Sequence, residues 1–336
     1  MKEADAVKVH AQNPARVTEM RKRWSFDTLD DGTLEITGYK GKETDITVPE
    51  RIGTQCVSRI GDNCFSAYKP GRQEMRKNAL TALCSVTLPD SIVSIGKKAF
   101  HGCKGLKRIR IPDGVMSIGD SAFSDCASLT DITLPDRITS IGEGTFHLCT
   151  ALTDITIPRN VTSIHPLAFF GCSRLQNITI PENVTSIGLA AFSGCRSLAS
   201  IHIPDSVTCI GPQAFIYCRR LADAQGFVVV RHILYGYHGA GGHIVIPDGI
   251  TAISSEAFLR CKELTGVRIP DGVTSIGTAA FNNCENLTYV HIPDSVTAIG
   301  AHAFTGCRKL ILCGADGSFA NAYAKENGIP FAVTRA

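Results

Sequence analysis

This chain of 336 residues has one tryptophan, no long apolar run and no large excess of acidic or basic residues. Its 34 basic and 31 acidic residues leave a net charge of only +3, which is too small to indicate nucleic acid or an acidic membrane surface as a partner. No apolar run approaches the roughly 18 residues that a membrane-spanning helix needs. The first residues lack the apolar core of a secretory signal, so no export address is visible. We therefore expect an ordered chain without a membrane span or a nucleic-acid partner.

Sequence motifs for metal binding and catalysis are missing as well. A zinc site requires four convergent ligands, usually from paired C-x2-C units, and no such pair occurs among the 14 cysteines. The glycines from Gly236 to Gly242 precede no Gly-Lys-Ser or Gly-Lys-Thr, so they predict a hairpin turn rather than a phosphate-binding loop. No paired-carboxylate or G-x-S-x-G signature is found. The sequence therefore predicts no metal, no cofactor and no enzymatic activity.

Two His-x-Cys triplets have residue types that could form a nucleophilic dyad. They are His101 with Cys103 and His147 with Cys149. Other copies of the same segment hold Ser or Ile at the histidine position, as at Ser124. We therefore favour a structural role for both pairs.

A repeat of 23 residues occupies most of the chain. Prolines, phenylalanines, cysteines and leucines all recur at this spacing, as in Pro112, Pro135 and Pro158. The unit reads L-x-x-I-x-I-P-x-x-V-x-x-I-G-x-x-A-F-x-x-C-x-x. Two interruptions, near residues 66–80 and 222–243, break the register, which resumes after each. Such a period is typical of solenoid proteins.

The physical role of each repeat position can be followed in one copy. Ile109 and Ile111 have strand spacing and face the same side. Pro112 has no amide hydrogen for a sheet, so it ends the strand. We expect Gly119 to permit a tight corner and Phe123 to insert the largest side chain of the turn. The cysteine that follows is expected to be a small, buried, reduced corner residue.

One such turn cannot bury its own apolar side, but a stack of identical turns can. Each strand would then pair with the next copy and each phenylalanine would lie on the previous one. We predict an α/β-solenoid of the leucine-rich-repeat type, mostly β, with about ten to eleven turns. Residues 24–313 form this solenoid in our interpretation, residues 1–23 a loose helix or tail, and residues 314–336 a C-terminal cap.

Hairpins and a helix are predicted where the repeat fails. Asp31-Gly32 is a hairpin-turn signal inside the segment Trp24–Tyr39, which we expect to cap the first turn. The segment 226–237 is rich in strand formers and predicts a hairpin that leaves the stack. The basic loop at 68–78 is either a solvated excursion or a partner contact. Ser318 can begin a helix that ends before Gly328 and covers an open sheet edge.

The segment from Ile180 to Leu198 reads I-P-x-x-V-T-S-I-G-x-x-A-F-x-x-C-x-x-L and closely resembles the BspA-like (Treponema pallidum type) leucine-rich repeats. The resemblance runs from about Trp24 to the end of the chain. Such proteins occur in bacteria of the mouth and gut and in some anaerobic protists. Several are associated with surface attachment and with binding of host matrix proteins. The resemblance implies an adhesive role at a cell surface or outside the cell, and it carries over no catalytic residue.

Solenoids usually bind ligands along the strand face, where outward side chains of successive turns form columns. Arginine and aromatic residues, which are enriched in interfaces, stand near the ends of these columns. The candidate ligand-binding residues are Arg108, Arg110, His202, Arg268, Tyr289 and His291. Ordinary drift between repeats explains this pattern equally well.

The sequence leaves two functions open. The first is a non-enzymatic protein-binding scaffold in adhesion, with a host extracellular-matrix protein or another cell surface as partner. The second is an intracellular protein–protein interaction module, favoured by the many thiols and by the missing signal. The cellular location follows from neither.

Overall fold

The computed structural model describes residues 14–68 and 79–334. The fold is a mostly-β leucine-rich-repeat solenoid with few helices, as the repeat predicts. It has about 13 turns of about 23 residues, more than the ten to eleven that we predict from the sequence. The turns outnumber the recognisable repeats because hairpin strands and a final short strand also pair within the sheets. The chain divides into two units: the first runs to Cys172 and includes Pro181–Val184, and the second comprises Ser173–Ile180 and the chain from Thr185.

In its described residues the first unit contains helix α1, thirteen short strands and one 3-10 turn at Ala79–Ala82. In chain order these are α1 Pro14–Arg23, β1 Trp24–Thr28, β2 Leu34–Tyr39, β3 Asp45–Thr47, β4 Arg51–Ile52, β5 Gln55–Ile60, β6 Ser85–Thr87, β7 Ser94–Ile95, β8 Arg108–Arg110, β9 Ser117–Ile118, β10 Asp131–Thr133, β11 Ser140–Ile141, β12 Asp154–Thr156 and β13 Ser163–Ile164. One sheet has the order β1-β2-β5-β7-β9, with β4 beside β5, and a second has the order β3-β6-β8-β10. Strand β11 pairs in parallel with β13.

The second unit, as far as residue 334, contains thirteen strands, helix α2 and a 3-10 turn at Arg219–Leu221. In chain order these are β14 Asn177–Thr179, β15 Ser186–Ile187, β16 Cys209–Ile210, β17 Phe227–Val230, β18 Ile233–Tyr237, β19 Gly242–Val245, β20 Ala252–Ile253, β21 Leu264–Arg268, β22 Ser275–Ile276, β23 Tyr289–His291, β24 Ala298–Ile299, β25 Ile311–Gly314, α2 Phe319–Glu326 and β26 Phe331–Val333. Its sheets have the orders β17-β18-β20-β22-β24 and β19-β21-β23-β25-β26, and β15 pairs with β16.

Phenylalanine rings stack through the core of each unit, as the repeat predicts. In the first unit the rings of Phe100 and Phe123 lie 5.3 Å apart and are inclined by only 2°. In the second unit the rings of Phe258 and Phe281 lie 4.6 Å apart. All four side chains are fully buried. Inward isoleucines such as Ile109 and Ile276 are buried as well. In the second unit the buried side chains form one apolar cluster.

The corner glycine recurs in the repeats for a different reason from the one predicted. Gly119 was expected to permit a tight corner, but its φ does not lie in the left-handed region. A Cβ at Gly119 would instead stand 2.5 Å from the amide nitrogen of Lys97 in the preceding turn. The left-handed residues of the corner are others, including Ser121 and Asp125. The glycine is therefore required because two turns approach closely there.

The hairpin at β17 and β18 lies within the stack, so the prediction that it leaves the stack is wrong. Strand β18 pairs antiparallel with β17 and in parallel with β20. Leu234 and Tyr235 are buried, and the Tyr235 ring meets that of Phe215 edge-on at 5.3 Å. These apolar side chains retain the hairpin in the core. The prediction that the glycines from Gly236 to Gly242 form the hairpin turn is also wrong. Arg231, with a φ of 54°, lies in that turn, and Gly241 lies in the link to β19.

The two ends of the solenoid carry the predicted hairpin and helix. Strands β1 and β2 pair antiparallel around Gly32, whose φ is 79°. Ser318 accepts a hydrogen bond from the amide of Asn321 at 3.2 Å and so caps α2. Helix α2 buries Ala320 and Ala324 against the core. The chain then returns and adds β26 beside β25, so the sheet continues past the helix.

Two sequence-based interpretations remain predictions. The domain boundaries at residues 23 and 313 are one of them; helix α1 ends at Arg23 and β1 begins at Trp24. The other is the basic loop at 68–78, of which only Tyr68 lies within the described residues. The hydroxyl of Tyr68 donates to Asp125 at 2.8 Å, and its ring lies 4.7 Å from that of His101.

Candidate functional site

The second unit's sheet β19-β21-β23-β25-β26 has an outward column that carries a cation, an imidazole and an exposed aliphatic side chain. Strand register places Val245 beside Arg268, and Arg268 beside His291. Neighbours in such a column stand about 4.8 Å apart. Val245 is 53% exposed, and Arg268 is exposed as well. The Nδ1 of His291 is buried and has no hydrogen-bond partner among the described residues.

The neighbouring outward column holds His243, Gly266, Tyr289 and Ile311. The Tyr289 hydroxyl lies 2.5 Å from Nδ1 and 2.8 Å from Nε2 of His243, two strands away, and the two rings are 5.1 Å apart. Gly266 stands between them on β21. A Cβ there would lie 2.8 Å from Nδ1 of His243 and still closer to the Tyr289 ring. The missing side chain therefore lets the tyrosine lie across the sheet.

A cleft opens beside these columns. It has a volume of about 330 Å³. Its lining residues are Val245, Asp248, Arg268, Ile269, Pro270, Asp271 and His291. The cleft offers donors, acceptors and an apolar wall, which suit the side chains of a polypeptide. Together the two columns and this cleft, defined by His243, Val245, Arg268, Tyr289, His291 and Ile311, are called the His-Tyr face below.

The structure thus brings together three of the six predicted ligand-binding residues: Arg268, Tyr289 and His291. Arg108 and Arg110 lie on β8 in the first unit. Arg110 forms a 2.8 Å ion pair with Asp90, and this hydrogen bond raises the pKa of the exposed guanidinium. Arg108 lines a wide groove of about 640 Å³ with Asp45, Ser85 and Lys107 among its neighbours.

His202 belongs to the second unit but to neither of its two five-stranded sheets. It is exposed and forms an isolated parallel bridge with Thr179. Residues 201–203 form no full strand, and the flanking Ile201 and Ile203 are only partly buried. His202 is therefore not a member of the His-Tyr face.

Sequence reasoning missed His243, Val245 and Ile311. The first two follow an insertion, and strand β19 differs from the repeat consensus. Ile311 pairs with Tyr289 although it follows only 22 residues later, one fewer than the repeat period. Strand alternation could have identified Ile311, because it precedes Leu312, which is buried, and neighbouring strand residues face opposite sides.

The two His-x-Cys pairs have the structural role that we favoured. The thiols of Cys103 and Cys149 donate to the carbonyl oxygens of Phe65 and Phe123 at 3.1 and 3.2 Å. Burial raises the pKa of both thiols, so they stay protonated. His147 stacks on Phe170 with ring centres 5.1 Å apart. Neither histidine activates a cysteine in this arrangement.

Within residues 14–68 and 79–334 no group of three or more His, Cys, Asp or Glu side chains could hold a metal ion. In the same part of the chain, no helix is long and apolar enough to cross a membrane.

Comparison with known proteins points to one family. The family model described as the BspA type leucine rich repeat region matches residues 77–175, 146–227 and 237–315. A crystal structure of a leucine-rich cell surface protein from Faecalibacterium prausnitzii is 32% identical, with a TM-score of 0.62, over 90% of this chain and 95% of that one. The T. pallidum leucine-rich-repeat protein is 31% identical, with a TM-score of 0.54, over 60% of this chain and 89% of that one.

A more distant structure shares the fold. The leucine-rich-repeat protein from Bacteroides ovatus is 24% identical, with a TM-score of 0.50, over 93% of this chain and 98% of that one. No curated protein matches the chain significantly. A leucine-rich-repeat scaffold of this kind suggests protein binding. The family match over more than half of its length shows that the chain belongs to the BspA-type leucine-rich-repeat proteins.

Proposed function

We propose that this chain is a non-enzymatic scaffold that binds a protein ligand on its His-Tyr face. The observation that carries the proposal is the contact between Tyr289 and His243 across Gly266. An aromatic ring held in this way loses little conformational freedom when a partner packs on it. Arginine and tyrosine are also the residue types that most often dominate binding energy at interfaces.

The surrounding side chains support this choice of face. Val245 and Ile311 are 53% and 42% exposed, which gives the partner apolar surface to bury. The outward columns of the first unit offer less, since Asp131 and Thr133 on β10 are polar and exposed. Arg268 is exposed beside these side chains and supplies hydrogen-bond donors that a partner can use.

The biological role that we propose is adhesion, with a host extracellular-matrix protein or another cell surface as partner. The support is the likeness to a protein described as a cell surface protein, at 32% identity over almost its whole length. The alternative is an intracellular protein–protein interaction module. The cysteines favour that alternative, because they are present as thiols, as expected in a reducing compartment.

A binding assay with purified matrix proteins tests the proposal. The full-length chain would be measured against a panel of immobilised matrix proteins at physiological salt. We expect at least one to bind and the variant Arg268→Ala/Tyr289→Ala to lose affinity about tenfold or more. The matched control Asp131→Ala/Thr133→Ala, on the outward face of the first unit, should bind within about twofold of the unchanged chain.

Two outcomes would contradict the proposal. If every matrix protein fails to bind, the adhesive role is wrong, and locating the native protein by cell fractionation would then test the intracellular alternative. If binding occurs but the control lowers it as much as the double variant does, the His-Tyr face is not the binding surface.

A further inference from the structure

Three successive turns at the start of the second unit carry exposed arginines just after their repeat cysteines. Two of these arginines occupy the first position after the cysteine, and two occupy the second. All four side chains are exposed. They are called the arginine strip below and are Arg174, Arg196, Arg219 and Arg220.

Backbone hydrogen bonds fix the spacing of the arginine strip. The amide of Ser197 donates to the carbonyl oxygen of Ser173 at 3.2 Å, which joins the first of the three turns to the second. The amide of Gly194 donates to the carbonyl oxygen of Ile216 at 2.8 Å, which joins the second turn to the third. Turns paired in this way are about 4.8 Å apart, so the strip extends over about 10 Å.

The charges of the arginine strip are not neutralised by neighbouring side chains. Lys104 and Lys262 occupy the same repeat position as two of the arginines, and they form ion pairs with carboxylates at 3.2 and 3.1 Å. Among the residues that the structure describes, none forms an ion pair with an arginine of the strip. Asp223, the nearest acid along the chain, instead accepts hydrogen bonds from the amides of Gln225 and Phe227. Four like charges therefore remain on one surface and attract an anion.

The side chains around the arginine strip favour a sugar as the carrier of that anion. Ser173 and Ser197 alternate with the arginines, and Gln176 is exposed in the first turn. Their hydroxyl and amide groups can hydrogen-bond to sugar hydroxyls. The neighbouring Leu175 and Leu198 are fully buried, so they offer no apolar surface to the side chains of a peptide. A nucleic-acid ligand would call for a strongly basic chain, whereas the net charge here is only +3.

We propose that the arginine strip binds a sulfated polysaccharide, with sulfate groups against successive guanidiniums. A guanidinium presents paired N–H donors to two oxygens of one anionic group. A polymer with sulfates on successive sugars therefore matches a row of arginines on successive turns. This surface shares no residue with the His-Tyr face, and the proposal does not depend on the function proposed for that face.

Binding of the full-length chain to immobilised heparin tests the proposal. At about 0.15 M salt, where charges beyond about 8 Å are screened, we expect the unchanged chain to bind. The variant Arg196→Ser/Arg219→Ser should bind about fivefold or more weakly. Ser173 occupies the same repeat position, so we expect this variant to keep its fold, which its melting temperature would check. Desulfated heparin should not bind to the unchanged chain.

The matched control is Lys104→Ser/Lys262→Ser, which removes the same net charge from paired lysines. It should bind heparin within about twofold of the unchanged chain, and so should Arg268→Ala/Tyr289→Ala on the His-Tyr face.

Three results would overturn the proposal. The first is an unchanged chain that does not bind heparin at this salt concentration. The second is an Arg196→Ser/Arg219→Ser variant that binds no more weakly than the lysine control, because the arginine strip would then not be the site. The third is displacement of heparin by polyglutamate at equal total charge, which would indicate an acidic peptide as the ligand.

Discussion

The cysteine of each repeat is a hydrogen-bond donor as well as a small buried side chain. Cys126 Sγ lies 3.2 Å from the carbonyl oxygen of Phe100, and Cys218 Sγ lies 3.1 Å from that of Phe192. Each carbonyl belongs to the preceding turn. The thiol therefore links two turns in a place where an alanine would leave a gap and an unused acceptor position.

We expect Cys126→Ala to lower the free energy of unfolding by about 1–3 kcal/mol, because it removes both the hydrogen bond and buried volume. Cys126→Val fills the volume without a donor and should recover only part of the loss. Urea denaturation measures both, with Cys209→Ala at an exposed position as the control. A valine variant as stable as the unchanged chain would show that the thiol hydrogen bond contributes nothing.

Substitution of the corner glycine should also lower the free energy of unfolding. Gly119→Ala would bring a Cβ to 2.5 Å from the backbone of Lys97, so we expect a loss of about 1–3 kcal/mol in the free energy of unfolding. Gly114→Ala in the same repeat would meet only ordinary contacts at 3.5 Å and should change it by about 0.5 kcal/mol or less. Thermal denaturation of the two variants would reveal the difference, and equal melting temperatures would disprove the close-approach argument.

At the scale of single elements, the hairpin of β17 and β18 shows how an insertion becomes part of a solenoid. Its first strand pairs only within the hairpin, whereas its second joins the parallel sheet of the following repeats. Leu234 and Tyr237 supply the apolar side chains that the core needs at this level. Period-breaking residues are therefore accommodated because they satisfy the same burial requirement as a repeat.

The buried tyrosine of this hairpin provides a test. Tyr235→Ala should lower the free energy of unfolding by about 3–5 kcal/mol, since it empties a fully buried site beside Phe215. Tyr217→Ala, at a position that is 42% exposed, should cost about 1 kcal/mol or less. Denaturant titration would compare the two. If Tyr235→Ala were as mild as its control, the hairpin could not be a core element.

At the scale of the whole molecule, partly buried histidines couple stability to pH. Burial lowers the pKa values of His101, His147 and His238 below the ordinary value of a histidine. The unfolded chain therefore binds more protons than the folded chain near and below pH 6.5. Stability is fully present above that pH and is lost as the pH falls through it toward the lower, folded values.

We expect the free energy of unfolding to fall between pH 7.5 and 5.5. The double variant His101→Ser/His147→Phe uses residue types found at the same repeat position, Ser124 and Phe170, and it should show a smaller fall. Glu35, whose pKa burial raises, acts in the opposite sense but is present in both proteins. Urea denaturation at both pH values measures the difference, and identical pH dependence in the two proteins would exclude these histidines as its source.

The sequence by itself determined the repeat, the inward side chains and the fold family, because each of these depends on spacing within 23 residues. It also supplied Arg268, Tyr289 and His291 as candidate ligand-binding residues. Only the tertiary structure decided which residues join them. His243 reaches Tyr289 because Gly266 leaves space two strands apart, and Ile311 joins the face through a register that is one residue shorter than the repeat. Such contacts depend on how neighbouring turns pair after an insertion or a deletion, and packing between turns rather than local spacing sets that pairing.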